Sequence, residues 1–95
     1  IEPLGVFVYD LSPEVRELLP PLRKGLGVVV GSRTADAPYL AESLRSGDVI
    51  YAVNQEPVTT VEELRASLAK VQPGNPVALQ VERGGLLQYL AFDMP

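Results

Sequence analysis

The side chains able to move a proton, attack a carbonyl or hold a metal are few in this sequence. The 95 residues contain no histidine and no cysteine. A Ser-His-Asp triad, a Cys-His pair and the usual zinc sites all need residues that are missing. Ser32 stands in no nucleophile-elbow pattern, and neither Lys24 nor Lys70 forms a recognisable pair with a serine. Glu62 and Glu63 are adjacent, so on a helix they project about 100° apart. They suit a helix dipole better than a catalytic carboxylate pair. Gly25-Leu26-Gly27 through Gly31 is spaced GxGxxxG rather than GxGxxG, and it opens a strand instead of joining a strand to a helix. Glycines relieving a crowded strand account for it better than a phosphate loop. No catalytic residue, metal site or cofactor is expected.

Another pattern suggests binding. Leu-Gly-Val occurs twice, as Leu4-Gly5-Val6 and Leu26-Gly27-Val28. Glycine at the head of a strand lets successive N–H groups converge on an anion, while the flanking apolar side chains line a pocket. If the strand that follows is an open edge, an extended peptide can pair with it and set its terminal carboxylate on the amides. The triplet alone is a weak signal, because a plain strand start has the same letters.

The elements that would position such a site read clearly. Leu4 to Tyr9 is a short apolar strand. Ser12-Pro13-Glu14 starts a helix, with Ser as N-cap and Pro at the first helical position, and Pro20-Pro21 should stop it near Leu19. Gly25 to Arg33 is a β-branched run suited to a buried strand. Ala37 to Ser43, opened by Pro38, suits a short helix. Asp48 to Val53 is a continuous apolar strand closed by the turn-like Asn54-Gln55-Glu56-Pro57. Thr60 and Glu63 make a capping-box pattern ahead of Val61, Leu64, Leu68 and Val71 on one helical face, and Pro73-Gly74 ends that helix. Val77, Leu79 and Val81 alternate with Ala78, Gln80 and Glu82; Gly84-Gly85 then turns the chain into Leu86 to Phe92. The order β, α, β, α, β, α, β, β is that of one α+β domain.

Bulk properties agree. Ninety-five residues suit one domain, and 46% apolar with 21% charged is ordinary for a globular fold. Twelve acidic against eight basic residues give −4, with the basic ones scattered, so nucleic acid is an unlikely partner on charge grounds. No apolar run approaches the roughly 20 residues of a membrane helix, so no membrane insertion is expected. A start at Ile1 rather than Met leads us to expect a fragment of a longer protein.

In order along the chain, Gly27-Val28-Val29-Val30, Ala37-Pro38 to Leu44, Arg45-Ser46-Gly47-Asp48-Val49-Ile50, Val53-Asn54, Pro57-Val58 and Val61-Glu62-Glu63-Leu64 resemble PDZ domains of bacterial HtrA/Deg serine proteases. The resemblance covers nearly all of residues 1–95, and Leu44 to Asn54 is its most specific stretch. It implies a small, partly open β-barrel or sandwich with two to three helices, in a single PDZ domain. The sequence departs from the family's pattern at Ser43 and Gln55, where glycine is usual, and at Tyr39-Leu40, where small residues are common. Ser43 and Gln55 imply either a less demanding backbone or local strain. Ile1-Glu2-Pro3 replaces a frequent basic residue and aromatic, which weakens the expectation of strong carboxylate binding.

The resemblance also chooses between the two triplets. PDZ domains have two strands between the carboxylate loop and the short helix, and only Leu4-Gly5-Val6 leaves room for both. Ser12–Leu19 then resembles an HtrA-type insertion. Gly5, Val6 and Phe7 would supply amides, and the strand through Val8 would pair with the peptide. Leu4, Val6 and Leu68 would line the terminal pocket above Leu64, while Val61 and Arg65 face the peptide upstream. Pure core packing is the stronger reading for Leu64. The implied partners are a peptide or unfolded-protein C-terminus and the protease domain of the same parent chain, in the periplasm or cell envelope. Two alternatives stay open: a PDZ domain of a tail-specific protease, site-2-type metalloprotease or secretion component, and a structural domain with a vestigial groove.

Overall fold

The computed structural model describes residues 5–19, 21–22, 25–33 and 44–94. Strand β1 (Val6–Asp10) leads into helix α1 (Pro13–Glu17), followed by β2 (Val28–Arg33), β3 (Val49–Val53) and β4 (Glu56–Pro57). Helix α2 (Val61–Ala69) and the hairpin β5 (Pro76–Arg83) and β6 (Leu86–Asp93) complete the order. The strands form one antiparallel sheet in the order β1-β2-β3-β5-β6, with β4 paired to β3, so the sheet stays open. The expected α+β architecture of a partly open sheet with short helices is what the fold adopts. The expected helix over Ala37–Ser43, with Ser43 and Tyr39-Leu40, lies outside the described residues.

The centre of the sheet is buried on both faces. On one, Val6, Val28, Val30, Ile50, Val53, Val77, Leu79 and Val81 pack against Leu64 and Leu68 of α2. On the other, Val29, Val49 and Tyr51 pack under Leu11, with Val15, Leu19 and Leu22 laid over them. All five residues of β3 are buried as a result, which is why that strand reads as an unbroken apolar run. Glu82 differs from expectation. Its place in the alternation of β5 suggests an outward polar residue, yet it is 2% exposed. The second apolar layer covers that face, and the Glu82 carboxylate accepts a 2.7 Å hydrogen bond from the Tyr51 hydroxyl.

Local signals explain the element ends. Ser12 Oγ accepts from Val15 N at 3.2 Å and Pro13 occupies the first turn, as the sequence predicts for α1. The helix proper ends at Glu17; Leu18 and Leu19 donate to Val15 and Arg16, tightening the last turn before the two prolines. Asn54 and Gln55 both hold positive φ, 48° and 70°, so the stretch expected as a plain turn is a two-residue hairpin loop into β4. Gln55 therefore occupies a left-handed position that favours glycine, and the alternative of local strain applies there.

The turn before β3 explains the Arg45–Asp48 letters. Gly47 takes φ 95°, and Asp48 N donates to the Arg45 carbonyl at 3.0 Å. The Asp48 carboxylate accepts from Arg45 N at 2.9 Å and holds Arg83 through two further bonds, 2.8 Å to Nε and 2.6 Å to the terminal nitrogen. This pairing raises the Arg83 pKa, with the hydrogen bond to Asp48 as the leading cause. The turn is thus locked to β5 from inside the protein.

Candidate functional site

The first Leu-Gly-Val ends in a backbone that needs glycine: Gly5 holds φ 63° where the chain enters β1. Beyond it, side chains alternate across the strand. Val6 is buried and Val8 half-buried toward α2, whereas Phe7 and Tyr9 are 50% and 54% exposed on the other face. The Phe7 ring thus points away from α2, and the Phe7 carbonyl lies toward Gly31 of β2. Leu4 lies outside the described residues.

Strand β1 pairs with β2 and with no other strand among the described residues. Leu11 N donates to the Gly27 carbonyl at 3.1 Å, and Tyr9 stands opposite Val29 two residues earlier. In an antiparallel ladder alternate residues face the partner, so Val8 and Asp10 turn their N–H and C=O toward the open edge. Beside that edge runs α2. Its buried Leu64 and Leu68 share the core with Val6, and Val8 and Val61 pack partly buried against the same cluster. At the upstream end Asp10 Oδ1 accepts from Val61 N at 2.7 Å, a direct link between the two elements.

Caps fix the start of α2. Thr60 Oγ1 accepts from Glu63 N at 3.1 Å, and Glu63 returns its carboxylate to the N–H and hydroxyl of Thr59. The expected capping box is therefore present but reaches one residue further back than the usual pattern. These bonds, led by the Thr59 hydroxyl, hold the Glu63 carboxyl below the usual carboxylate range. At the other end the helix carries an exposed 3.1 Å ion pair between Lys70 and Glu56.

The sequence-derived site residues thus converge on two neighbouring elements, with differing access. Val6, Leu64 and Leu68 are 0%, 0% and 3% exposed. Leu64 is plain core, and a ligand reaches Val6 or Leu68 only if the walls part. Val61 is half-buried and Arg65 exposed, so these are the α2 side chains a ligand meets first. Asp10 is the residue that sequence reasoning missed. A carboxylate ending an apolar strand just before a helix start is the signal, but its partner lies 51 residues away.

A cavity of about 270 Å³ also borders Val6 and is otherwise lined by Gly31, Ser32, Leu44, Arg45 and Ser46. No residue of α2 borders it. Among the described residues no group of three or more acidic side chains is placed to hold a metal ion. No helix among them is long and apolar enough to cross a membrane.

The second triplet has a different setting. A Cβ built on Gly27 would lie 2.8 Å from Val49 Cγ1, 3.0 Å from Tyr51 Cδ1 and 3.1 Å from the Ile50 carbonyl. Glycine there makes room for the second core layer, in keeping with its reading as core strand.

Comparison with known proteins adds independent findings. The PDZ domain family model matches residues 3–93. A probable DegP-like periplasmic serine endoprotease of Chlamydia trachomatis is 30% identical over 92 residues, covering 97% of this chain and 18% of that protein. The periplasmic serine endoprotease DegP of Salmonella typhimurium is 41% identical over 69 residues, or 70% of this chain and 14% of its own length. The chain thus spans under a fifth of these relatives. Among solved structures, the HtrA-type protease AlgW with a decapeptide superposes with TM-score 0.79 at 29% identity, covering 95% of this chain and 27% of that one.

Proposed function

The chain belongs to the PDZ-domain family, and we propose that it binds the apolar C-terminal or extended segments of substrate proteins by adding them as a strand to β1. The observation that carries this reading is the β1 edge running beside α2, which pairs with no second strand among the described residues, with Gly5 at its head. A peptide antiparallel to β1 finds the outward backbone groups of Val8 and Asp10, and its terminal carboxylate arrives at the amides of Gly5 and Val6 at the head of the strand, whereas Phe7 faces β2. Its side chains facing α2 meet Val8, Val61 and Arg65 first. Contact with Val6 and Leu68 needs the helix to yield slightly, with Leu64 beneath as support. Burying a terminal Val- or Leu-sized side chain is worth about 1.5–3 kcal/mol before ordering costs, so affinities of about micromolar are expected.

The domain itself is a binding module, not an enzyme. In our reading residues 1–95 form one PDZ module of a longer HtrA-type serine protease of the periplasm or cell envelope. There it recruits substrate or relays its occupancy to the protease domain of the same chain. The similarity to periplasmic DegP proteins and to AlgW, itself solved with a decapeptide, supports that setting.

Titrating a short peptide ending in Val against its C-terminal amide tests the proposal. The acid should bind and the amide bind at least tenfold more weakly; equal binding of both would remove carboxylate capture. The deep burial of Val6, Leu64 and Leu68 favours a second reading, a structural domain with a vestigial groove. Failure to bind any member of a C-terminal peptide library would establish it.

A further inference from the structure

The hydrogen bond from Val61 N to Asp10 is the described direct tie between the two walls of the groove, and it stands at the end where a bound peptide would leave. Asp10 is the last residue of β1 and Val61 the first of α2. The bond does more than cap a helix. Thr60 and Glu63 already secure the start of α2 locally, whereas Asp10 joins that start to the strand. We propose that Asp10 is a positioning residue that fixes the spacing of the groove walls at the upstream end. The groove then accepts a C-terminal segment of about five residues and gains little from a longer one. This inference rests on the peptide-groove reading.

The length follows from the register. Strand β1 contains five residues, Val6 to Asp10. An antiparallel partner whose last residue lies opposite Val6 has its fifth from the end opposite Asp10. Residues directly opposite each other in a sheet place their side chains on the same face. The last, third-last and fifth-last peptide side chains therefore turn toward α2, as Val6 and Val8 do. At the fifth-last position that space holds the Asp10–Val61 link, so the peptide main chain must leave the edge there. The same tie holds the upstream end of the walls at one spacing before the ligand arrives, so that only the end beside Gly5 has to yield, which lowers the ordering cost of binding.

The test measures dissociation constants of a pentapeptide and a decapeptide that share a Val-ending C-terminal sequence, on four versions of the chain. The native chain should bind the two within about twofold. Asp10→Ala should weaken the pentapeptide by about five- to tenfold, the scale of one lost hydrogen bond, and weaken the decapeptide less, so the longer peptide becomes favoured. Asp10→Asn keeps an acceptor for Val61 N and should restore the native pattern. Thr60→Ala weakens the same helix start without touching the tie, and should leave the length ratio unchanged. Each chain is checked for folding by its thermal transition.

An unchanged ratio in a folded Asp10→Ala chain would overturn the proposal. So would a Thr60→Ala chain that copies Asp10→Ala, which would reduce the effect to helix capping, or an Asp10→Asn chain that does the same, which would reduce it to charge. A native chain that binds neither peptide would overturn the groove reading itself and this proposal with it, an outcome distinct from the other three.

Discussion

The same three letters, Leu-Gly-Val, stand at two places in this chain and do opposite work. Gly5 is a glycine because its backbone turns through φ 63° at the head of a strand that pairs only with β2 among the described residues. Gly27 is a glycine because Val49, Tyr51 and the Ile50 carbonyl leave no room for a Cβ. One is a requirement of conformation at a surface where a ligand can pair; the other is a requirement of space inside a packed layer. The surroundings repeat the contrast. Around Gly27 the sheet is buried on both faces and tied by Asp48 and Arg83, whereas the strand that Gly5 opens is joined to α2 by one exposed hydrogen bond at its far end. Scaffold and site are thus built from different kinds of interaction, and substitutions in the two regions should separate stability from binding.

The largest effect belongs to the scaffold. Arg83→Leu leaves the Asp48 carboxylate buried, with Arg45 N as its remaining donor among the described residues. Breaking a buried pair from one side costs about 3–5 kcal/mol. Urea denaturation should show that loss in the midpoint, and a loss below about 1 kcal/mol would mean the pair contributes no more than a surface bridge. Gly27→Ala comes next. Its Cβ must displace Val49 or Tyr51, both held in the second core layer, and overpacking of that kind costs about 1–3 kcal/mol. Peptide affinity of the folded fraction should be unchanged; a matching fall in affinity would erase the division between the regions.

Gly5→Ala reverses the pattern. A left-handed alanine costs about 1–2 kcal/mol, so stability falls no more than for Gly27→Ala. Binding should suffer more, because the amides of Gly5 and Val6 lose the orientation that a carboxylate needs. The readout is the ratio of affinities for a Val-ending peptide and its amide, which should collapse toward one. An unchanged ratio would mean that Gly5 shapes the chain without shaping the site.

This contrast also explains what the sequence could reveal. The scaffold is legible because its demands are local: β-branched residues mark a strand covered on both faces, and the Gly47-Asp48 turn shows through the family resemblance, its letters explained by a positive φ and by the Asp48 carboxylate on Arg45 N. Gly84 and Gly85, at φ 58° and 84°, announced the last hairpin. Asn54-Gln55 was harder, since Gln seldom takes a left-handed turn and the two-residue strand β4 carries no pattern of its own. Glu82 was misplaced because alternation along one strand cannot show that α1 and Leu22 cover the outer face. The site is less legible for a related reason. Which residues share an edge can be inferred from element order, but the Asp10–Val61 bond and the closure over Leu68 depend on how two distant elements approach.

The smallest expected effect lies at the start of α2, on the site side of the comparison. The Glu63 carboxyl sits below the usual carboxylate range because Thr59 donates to it through both hydroxyl and backbone N–H. A carboxyl lowered in the folded chain stabilises it above the unfolded pKa, and that contribution disappears as pH falls through the folded value. Glu63→Gln keeps one acceptor for Thr59 but cannot titrate. The native chain should therefore melt slightly higher than Glu63→Gln at pH 7, and the gap should close as pH falls through the folded value of Glu63. Because Glu63 is fully exposed, salt should shrink the gap at pH 7 as well. A gap that holds constant as pH falls through that value would show that shape rather than charge accounts for the cap, and the start of α2 would then belong with the scaffold rather than with the site.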